Sequence, residues 1–159
     1  MQQFLELFNP YPGNQFLLLT THSDAIATAL AEMLEKVEGT LSLHCFPGEH
    51  EALEAKNVKR HDIADFKSSP RALPRSNDMV ILQDLYHLHE TPERIMKQMY
   101  ATLANTGDIV IMQRRGTMDF EKMLEMLETF EFRAGNAIDC HSDYDLVMGK
   151  KMHMWGNGL

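Results

Sequence analysis

The sequence predicts an α/β domain built on a doubly wound, mostly parallel sheet of seven strands that ends in an antiparallel hairpin. Two observations support this fold class. Short apolar runs alternate with amphipathic helical segments through five strands, which favours a parallel sheet with right-handed crossovers and helices on both faces. Two extended segments, 132–140 and 144–155, then follow one another across a short polar turn, which is typical of a hairpin.

The first half of the chain supplies three of the predicted strands. Residues 15–20 (QFLLLT) form a continuous apolar run that suits a strand buried on both faces. Residues 23–39 repeat apolar side chains at helical spacing and end in a glycine, a common helix stop. We further expect a strand at 40–46, a short helix at 48–56 and a weaker strand at 58–63.

The second half shows clearer boundaries. A polar loop with two prolines, 64–77, precedes a buried strand at 78–85. Residues 91–107 predict a helix with a threonine N-cap, a proline at the first helical position and a glycine at the end. The fifth strand is predicted at 108–113, and an amphipathic helix at 117–132 leads into the hairpin.

Length and composition are those of one globular domain. The chain has 159 residues, of which 44% are hydrophobic and 24% charged, as in ordinary soluble proteins. We expect residues 1–159 to form a single domain, with 1–14 as an N-terminal lead-in and 156–159 as a frayed tail.

Net charge, cysteine content and the length of the apolar runs limit the classes of partner and the cellular compartment that we expect. The formal net charge of −8 disfavours sequence-independent nucleic-acid binding, which needs clustered Lys and Arg. Cys45 and Cys140 lie far apart in the sequence and fit free thiols in a reducing compartment. The N-terminus does not resemble a secretory signal, and no apolar run approaches the roughly 20 residues that span a bilayer. We therefore expect a cytoplasmic protein that binds neither nucleic acid nor membrane.

A family resemblance is carried mainly by residues 77–113. Their sequence, NDMVILQDLYHLHETPERIMKQMYATLANTGDIVIMQ, combines a buried strand, a loop rich in Leu and His, a helix that starts at Pro, and a leucine-plus-glycine turn into the next strand. This pattern and the order of elements along nearly the whole chain resemble class I S-adenosylmethionine-dependent methyltransferases, which have a Rossmann-like sheet. The resemblance implies that S-adenosylmethionine lies over the carboxyl ends of the first strands.

The turn after the first strand departs from the family pattern. The resemblance implies a glycine-rich turn at residues that are here Thr20, Thr21, His22, Ser23 and Asp24. Side chains at positive φ are strained by about 1–3 kcal/mol each, so we expect this turn to be built differently. The spacing of Thr21 and Asp24 fits a capping box, which would satisfy the helix N-terminus from within, and Asp24 would also repel a ligand carboxylate.

Two further family features serve the cofactor. An acidic residue that ends strand two holds the ribose hydroxyls in that family, but this strand ends in His44, Cys45 and Phe46, and none of them accepts two hydroxyl groups as a carboxylate does. Glu49 either substitutes for that carboxylate or is a solvated glutamate. Asp62 and Ile63 match the family's Asp after strand three, which implies an adenine contact. Phe46 and Ile63 would then flank a flat ring, unless both belong to the core.

The loop after strand four contains the candidate catalytic residues. By resemblance, Gln83, Asp84, Tyr86 and His87 would face the mouth of the site, with Asp84 or His87 as candidates for the chemistry and His87 as a general base near neutral pH. The alternative is that these residues are structural. His87 and His89 alternate as metal ligands can, but the family loop accounts for both, and no metal is predicted.

These features leave two main hypotheses about function, beside a third in which the same sheet edge binds another nucleotide or metabolite. In the first, the chain is a methyltransferase-like domain with a degenerate cofactor pocket, and it acts as a binding or interaction module. A homo-oligomer is one form that such a module can take. In the second, it is an active S-adenosylmethionine-dependent methyltransferase that modifies a small molecule through a rebuilt turn. Fold analogy alone does not decide between them.

Overall fold

The computed structural model describes residues 1–152, and a single seven-stranded sheet runs through them. Four helices flank this sheet. In chain order the elements are α1 Gln2–Leu5, β1 Gln15–Thr20, α2 Ala25–Glu35, β2 Thr40–Cys45, β3 Val58–Asp62, β4 Asn77–Gln83, α3 Pro92–Thr102, β5 Leu103–Arg114, α4 Phe120–Thr129, β6 Arg133–Ile138 and β7 Tyr144–Lys150.

The strand order confirms the predicted fold class. Across the sheet the order is β3-β2-β1-β4-β5-β7-β6, and the first five strands pair in parallel. Strand β7 runs antiparallel to both β5 and β6. The order reverses between β1 and β4, so the carboxyl ends of these two strands border the crevice where open α/β sheets bind ligands.

A hydrophobic core lies on each face of the sheet. Because side chains alternate along a strand, Leu18 of β1 packs with α1 and α2, whereas Leu17 and Leu19 face α3 and α4. Phe4 and Leu30 are fully buried on the first face. The core residues of the second face include Ile95, Met96, Met99, Met123 and Leu127. The helices that flank β1 are therefore held by burial of apolar side chains on both sides.

Helix boundaries follow the polar residues that cap them. Asp24 caps α2, because its side chain accepts a hydrogen bond from the backbone N–H of Ile26 at 2.9 Å. Asp119 caps α4 in the same way, from Lys122 N–H at 3.2 Å. Thr91 occupies the N-cap position of α3 as predicted, but its hydroxyl makes no capping hydrogen bond to the helix.

The structure differs from the sequence-based prediction at several boundaries. The helix predicted at 48–56 is wrong, since these residues form an irregular loop. The lead-in 1–14 contains the short helix α1. Helix α3 ends at Thr102 and not at residue 107, because Leu103 is already extended and pairs with Asn77. The predicted end of the last strand, 153–155, and the tail 156–159 lie outside the described residues. Within the described part of the chain, each helix is too short or too polar to span a bilayer.

Candidate functional site

The turn between β1 and α2 is closed by its own side chains. None of residues 20–24 has a positive φ, so the turn is built without glycine geometry, as the sequence predicts. The N–H of His22 donates to the hydroxyl of Thr20 at 2.9 Å. The predicted capping box is wrong, because Asp24 is itself the N-cap of α2 and the Thr21 hydroxyl instead donates to the carbonyl of Asp84 at 3.0 Å.

Residues 46–51, here called the crossover segment, lie directly on this turn. At one end of the segment the Phe46 N–H donates to the Thr20 carbonyl, and at the other the Glu51 N–H donates to the Ser23 carbonyl, both at 2.9 Å. Between them Gly48 approaches the turn so closely that a Cβ atom would lie 1.8 Å from the carbonyl oxygen of Thr21. Only a glycine allows this contact.

The imidazole of His50 ties the crossover segment to the turn a third time. Its Nδ1 accepts a hydrogen bond from the Ser23 N–H at 3.0 Å and lies 3.0 Å from the Ser23 hydroxyl. Since Nδ1 accepts, the proton is on Nε2, which donates to the Phe46 carbonyl at 2.6 Å. Ser23 lies just before α2. Without His50, its N–H would be a free donor for an anionic ligand.

A buried polar chain links β1, β4 and β7 beneath the turn. The Thr20 hydroxyl donates to Oε1 of Gln83 at 3.0 Å, and Nε2 of Gln83 donates to the Tyr144 hydroxyl at 2.9 Å. All three residues are at most 1% exposed. Burial raises the pKa of Tyr144 to about 12, so its hydroxyl stays protonated at neutral pH. The side chain of Gln83 therefore points to internal partners.

Asp84 also lies at this edge of the sheet, in an unusual backbone conformation. Its φ is 53°, in the left-handed region, and the residue is 8% exposed. Its carboxylate accepts a hydrogen bond from the Arg114 N–H at 2.9 Å and lies 3.7 Å from the Arg114 guanidinium. That guanidinium covers the ring of Tyr144 at 4.7 Å. Asp84 thus joins the loop after β4 to the end of β5.

The residues predicted at the ends of β2 and β3 divide into buried and exposed ones. Cys45 is 3% exposed and Phe46 1% exposed, and burial raises the pKa of the Cys45 thiol. The ring of Phe46 stacks on Phe66, with centroids 6.3 Å apart. Ile63 is half-buried, and its N–H donates to the Cys45 carbonyl. The side chain of Asp62 is 73% exposed and binds Arg60 at 3.0 Å.

Of the histidines after β4, His87 lies apart from the crevice, whereas the ring of His89 packs edge-on against Phe46, with centroids 5.9 Å apart. His87 is exposed and lines a separate cleft, described below. His89 is buried, with Nε2 2.9 Å from the Ser68 carbonyl and Nδ1 accepting the Thr91 N–H. Residues 1–152 contain no group of three or more His, Cys, Asp or Glu side chains placed to hold a metal ion.

The structure gathers most of the predicted cofactor-binding residues, and the crossover segment covers the turn among them. Thr20 to Asp24, Cys45, Phe46, Gln83 and Asp84 are adjacent, whereas Asp62 faces solvent and His87 lies elsewhere. Gly48, His50 and Tyr144 were not predicted from the sequence. The predicted helix at 48–56 concealed the first two, and Tyr144 reads in the sequence as an ordinary strand residue.

The strand order, the antiparallel β7 and the crevice beside β1 and β4 define a Rossmann-like fold of the class I S-adenosylmethionine-dependent methyltransferase type. Known structures support this directly. A SAM-dependent methyltransferase from Aquifex aeolicus aligns with a TM-score of 0.74 at 13% identity, over 95% of this chain and 89% of that one. The putative methyltransferase from Haloferax volcanii, solved with the Trm112 methyltransferase activator, gives 0.70 at 11% identity, over 98% and 90%.

A third structural neighbour is about twice as long. Phosphoethanolamine N-methyltransferase 2 from Haemonchus contortus, in complex with S-adenosyl-L-methionine, aligns with a TM-score of 0.71 at 12% identity, over 96% of this chain and 52% of that one. No protein-family model matches the sequence, and no curated protein matches it. At these identities the likeness concerns the fold.

Proposed function

We propose that this chain is a methyltransferase-like domain whose nucleoside pocket is closed by the crossover segment, and that it acts as a binding or interaction module instead of transferring methyl groups. The observation that carries the proposal is the engagement of the Ser23 N–H by His50 together with the contact of Gly48 on Thr21. Both occupy the β1–α2 turn, where the fold would place the amino-acid end of S-adenosylmethionine. A second copy of the chain is one candidate partner of such a module.

Charge at the start of α2 supports the same proposal. A helix N-terminus attracts anions because its first N–H groups are unpaired. Here the side chain of Asp24 supplies a carboxylate at that position and binds the Ile26 N–H. A ligand carboxylate would have to displace Asp24 and would gain no free donor from Ser23 or Ile26.

Calorimetric titration with S-adenosylmethionine and S-adenosylhomocysteine tests the proposal. Because the N–H groups of His22, Ser23 and Ile26 are already used, we expect neither compound to bind with a dissociation constant below about 1 mM. A thermal-shift series over the same concentrations provides an independent readout, since a ligand that binds only the folded state raises the unfolding temperature. Saturable binding in the micromolar range would overturn the proposal.

The alternative is an active S-adenosylmethionine-dependent methyltransferase that acts on a small molecule. Two observations favour it: the neighbours include an enzyme in complex with S-adenosyl-L-methionine, and the carboxylate of Asp62 is exposed at the end of β3. In this case Asp62 contacts the adenine amino group, with Asp84 or His87 assigned to the chemistry. S-adenosylmethionine would then be the cofactor of this chain.

This alternative predicts a specific loss of affinity. If the cofactor binds, Asp62→Ala should weaken it by about 1–3 kcal/mol, the cost of losing a hydrogen bond to a polar partner. Asp65→Ala is the matched control, because Asp65 is an exposed aspartate in the loop that follows β3, and its carboxylate binds the N–H groups of Lys67 and Ser68. Equal affinity in both variants would rule out the adenine contact.

A further inference from the structure

A second cleft, of about 290 Å³, lies on the α3/α4 face of the sheet. Its walls include Tyr86, His87, Gln113, Lys122 and Met123, and we call it the Gln113 cleft. Its volume is near the lower end of the range of small-molecule sites, about 300 Å³. Met123 belongs to the core of this face, whereas the Gln83–Tyr144 chain lies on the opposite face. The cleft is thus distinct from the crevice beside β1 and β4.

Gln113 carries an unpaired hydrogen-bond donor that is buried beside the cleft. The residue is the last but one of β5, on the same face as Ile109 and Ile111, and it is 1% exposed. Its side-chain Nε2 is buried and has no hydrogen-bond partner among residues 1–152. Buried polar atoms in folded proteins are nearly always paired, and an unpaired one costs about 1–3 kcal/mol. A donor retained in this state beside a cleft indicates a ligand that supplies the acceptor.

The other walls indicate what kind of ligand fits. Tyr86 is half-buried and Met123 is 6% exposed, so they offer apolar surface to a flat ring. The charged groups at the cleft, Lys122 and Asp119, have opposite signs. One carboxylate oxygen of Asp119 already accepts the Lys122 N–H as the α4 cap. The charges offset one another and favour an uncharged ligand.

We propose that the Gln113 cleft binds a small, uncharged aromatic molecule, and that the side-chain amide of Gln113 turns its buried Nε2 towards the cleft to donate a hydrogen bond to the carbonyl oxygen of this ligand. The ring of this ligand packs between Tyr86 and Met123. An amide or lactam is the simplest such compound, because its N–H group finds an acceptor in the second carboxylate oxygen of Asp119. The site does not require S-adenosylmethionine and goes beyond the function proposed above.

Benzamide is the probe that tests this site. In a titration of ¹⁵N-labelled wild-type protein followed by NMR, we expect saturable shifts of the Gln113 side-chain amide and of the backbone amides of Tyr86 and Met123, with a dissociation constant of about 1 mM. Benzoate, its charged counterpart, should bind less tightly. Shifts that do not saturate below about 20 mM, or that map elsewhere on the molecule, would overturn the proposal without any substitution.

Substitution of Gln113 separates a ligand role from a structural one. Gln113→Met removes the donor with little change of volume, and we expect it to weaken benzamide about tenfold. It should also leave the unfolding temperature unchanged or raise it, because it removes an unpaired buried amide. Gln98→Met, at a half-buried glutamine of α3 that lines a different cleft, should leave the benzamide affinity unchanged. An unaltered affinity in Gln113→Met would contradict the assignment.

Discussion

The imidazole of His50 holds together two stretches of chain that are far apart in sequence. Replacement by alanine removes its hydrogen bonds to the Ser23 N–H and to the Phe46 carbonyl. Since Ser23 is 1% exposed, its amide loses its partner in a buried place, and we expect His50→Ala to lower the free energy of unfolding by about 1–3 kcal/mol.

Urea unfolding measures this loss. His87→Ala is the matched control, because His87 is exposed and substitutions at such surface positions usually stay within about 0.5 kcal/mol. Equal unfolding free energies for the two alanine variants would show that His50 does not secure the crossover segment.

His44 makes stability depend on pH. Burial, and to a smaller extent repulsion from His61, lowers the pKa of His44 to about 4 from an ordinary 6.5. The unfolded chain therefore binds a proton more readily than the folded one between these values. Stability contributed by neutral His44 is complete above about pH 6.5 and is lost as the pH falls towards 4.

The size of this effect follows from the two pKa values. Between pH 7 and pH 5 we expect the free energy of unfolding to fall by about 2 kcal/mol on account of His44. Urea unfolding at both pH values measures the fall in the wild type and in His44→Leu, which lacks the titrating group. The prediction is wrong if His44→Leu loses as much stability as the wild type over this interval.

At the level of elements, the contact between the crossover segment and the β1–α2 turn depends on Gly48. In Gly48→Ala the added Cβ would overlap the Thr21 carbonyl oxygen, so backbone must move. We expect a loss of about 1–3 kcal/mol, as for other overpacked sites, and faster amide exchange at Phe46 and Glu51. Gly135→Ala is the control, because its Cβ would meet side-chain atoms at an ordinary 3.4 Å. Equal stability of the two variants would contradict a tight fit at Gly48.

Elements with continuous periodicity were predictable from the sequence. The bounds of β1 at 15–20 agree between sequence and structure, because a run of apolar residues is buried on both faces whatever its neighbours are. The segment 48–56 was not predictable, because its conformation depends on hydrogen bonds to Ser23, more than twenty residues earlier. Such tertiary contacts override local helix propensity.

The candidate site, like the fold, was predictable from the sequence only in part. The lack of glycine at residues 20–24 correctly indicated a turn without positive φ, but the expected capping box of Thr21 and Asp24 is wrong, because Asp24 is itself the N-cap of α2. The filling of the space beside that turn was not predictable, because it requires the positions of Gly48 and His50 in three dimensions. Gln113 was not predicted either, since a glutamine near the end of a strand is unremarkable until the burial of its side chain and the missing partner of its Nε2 are known.

For the whole molecule, we expect stability to fall from the centre of the sheet to its edges. The residues of β1 and β4 are almost all buried, whereas those of β3 and β6 are almost all exposed. Native-state hydrogen exchange should show amides of β1 and β4 opening only with global unfolding. Amides of β3 and β6 should open at a free energy lower by at least about 2 kcal/mol. Uniform protection across all seven strands would contradict this gradient.

The crossover segment has one more consequence: it behaves as a tethered competitor for the β1–α2 turn. Because competitor and turn share a chain, the local concentration of the competitor is of millimolar order and does not fall on dilution. If release of the segment costs about 3 kcal/mol, the apparent dissociation constant of a ligand at the turn rises about 100-fold. Changes at Gly48 or His50 would then tune affinity without touching the ligand.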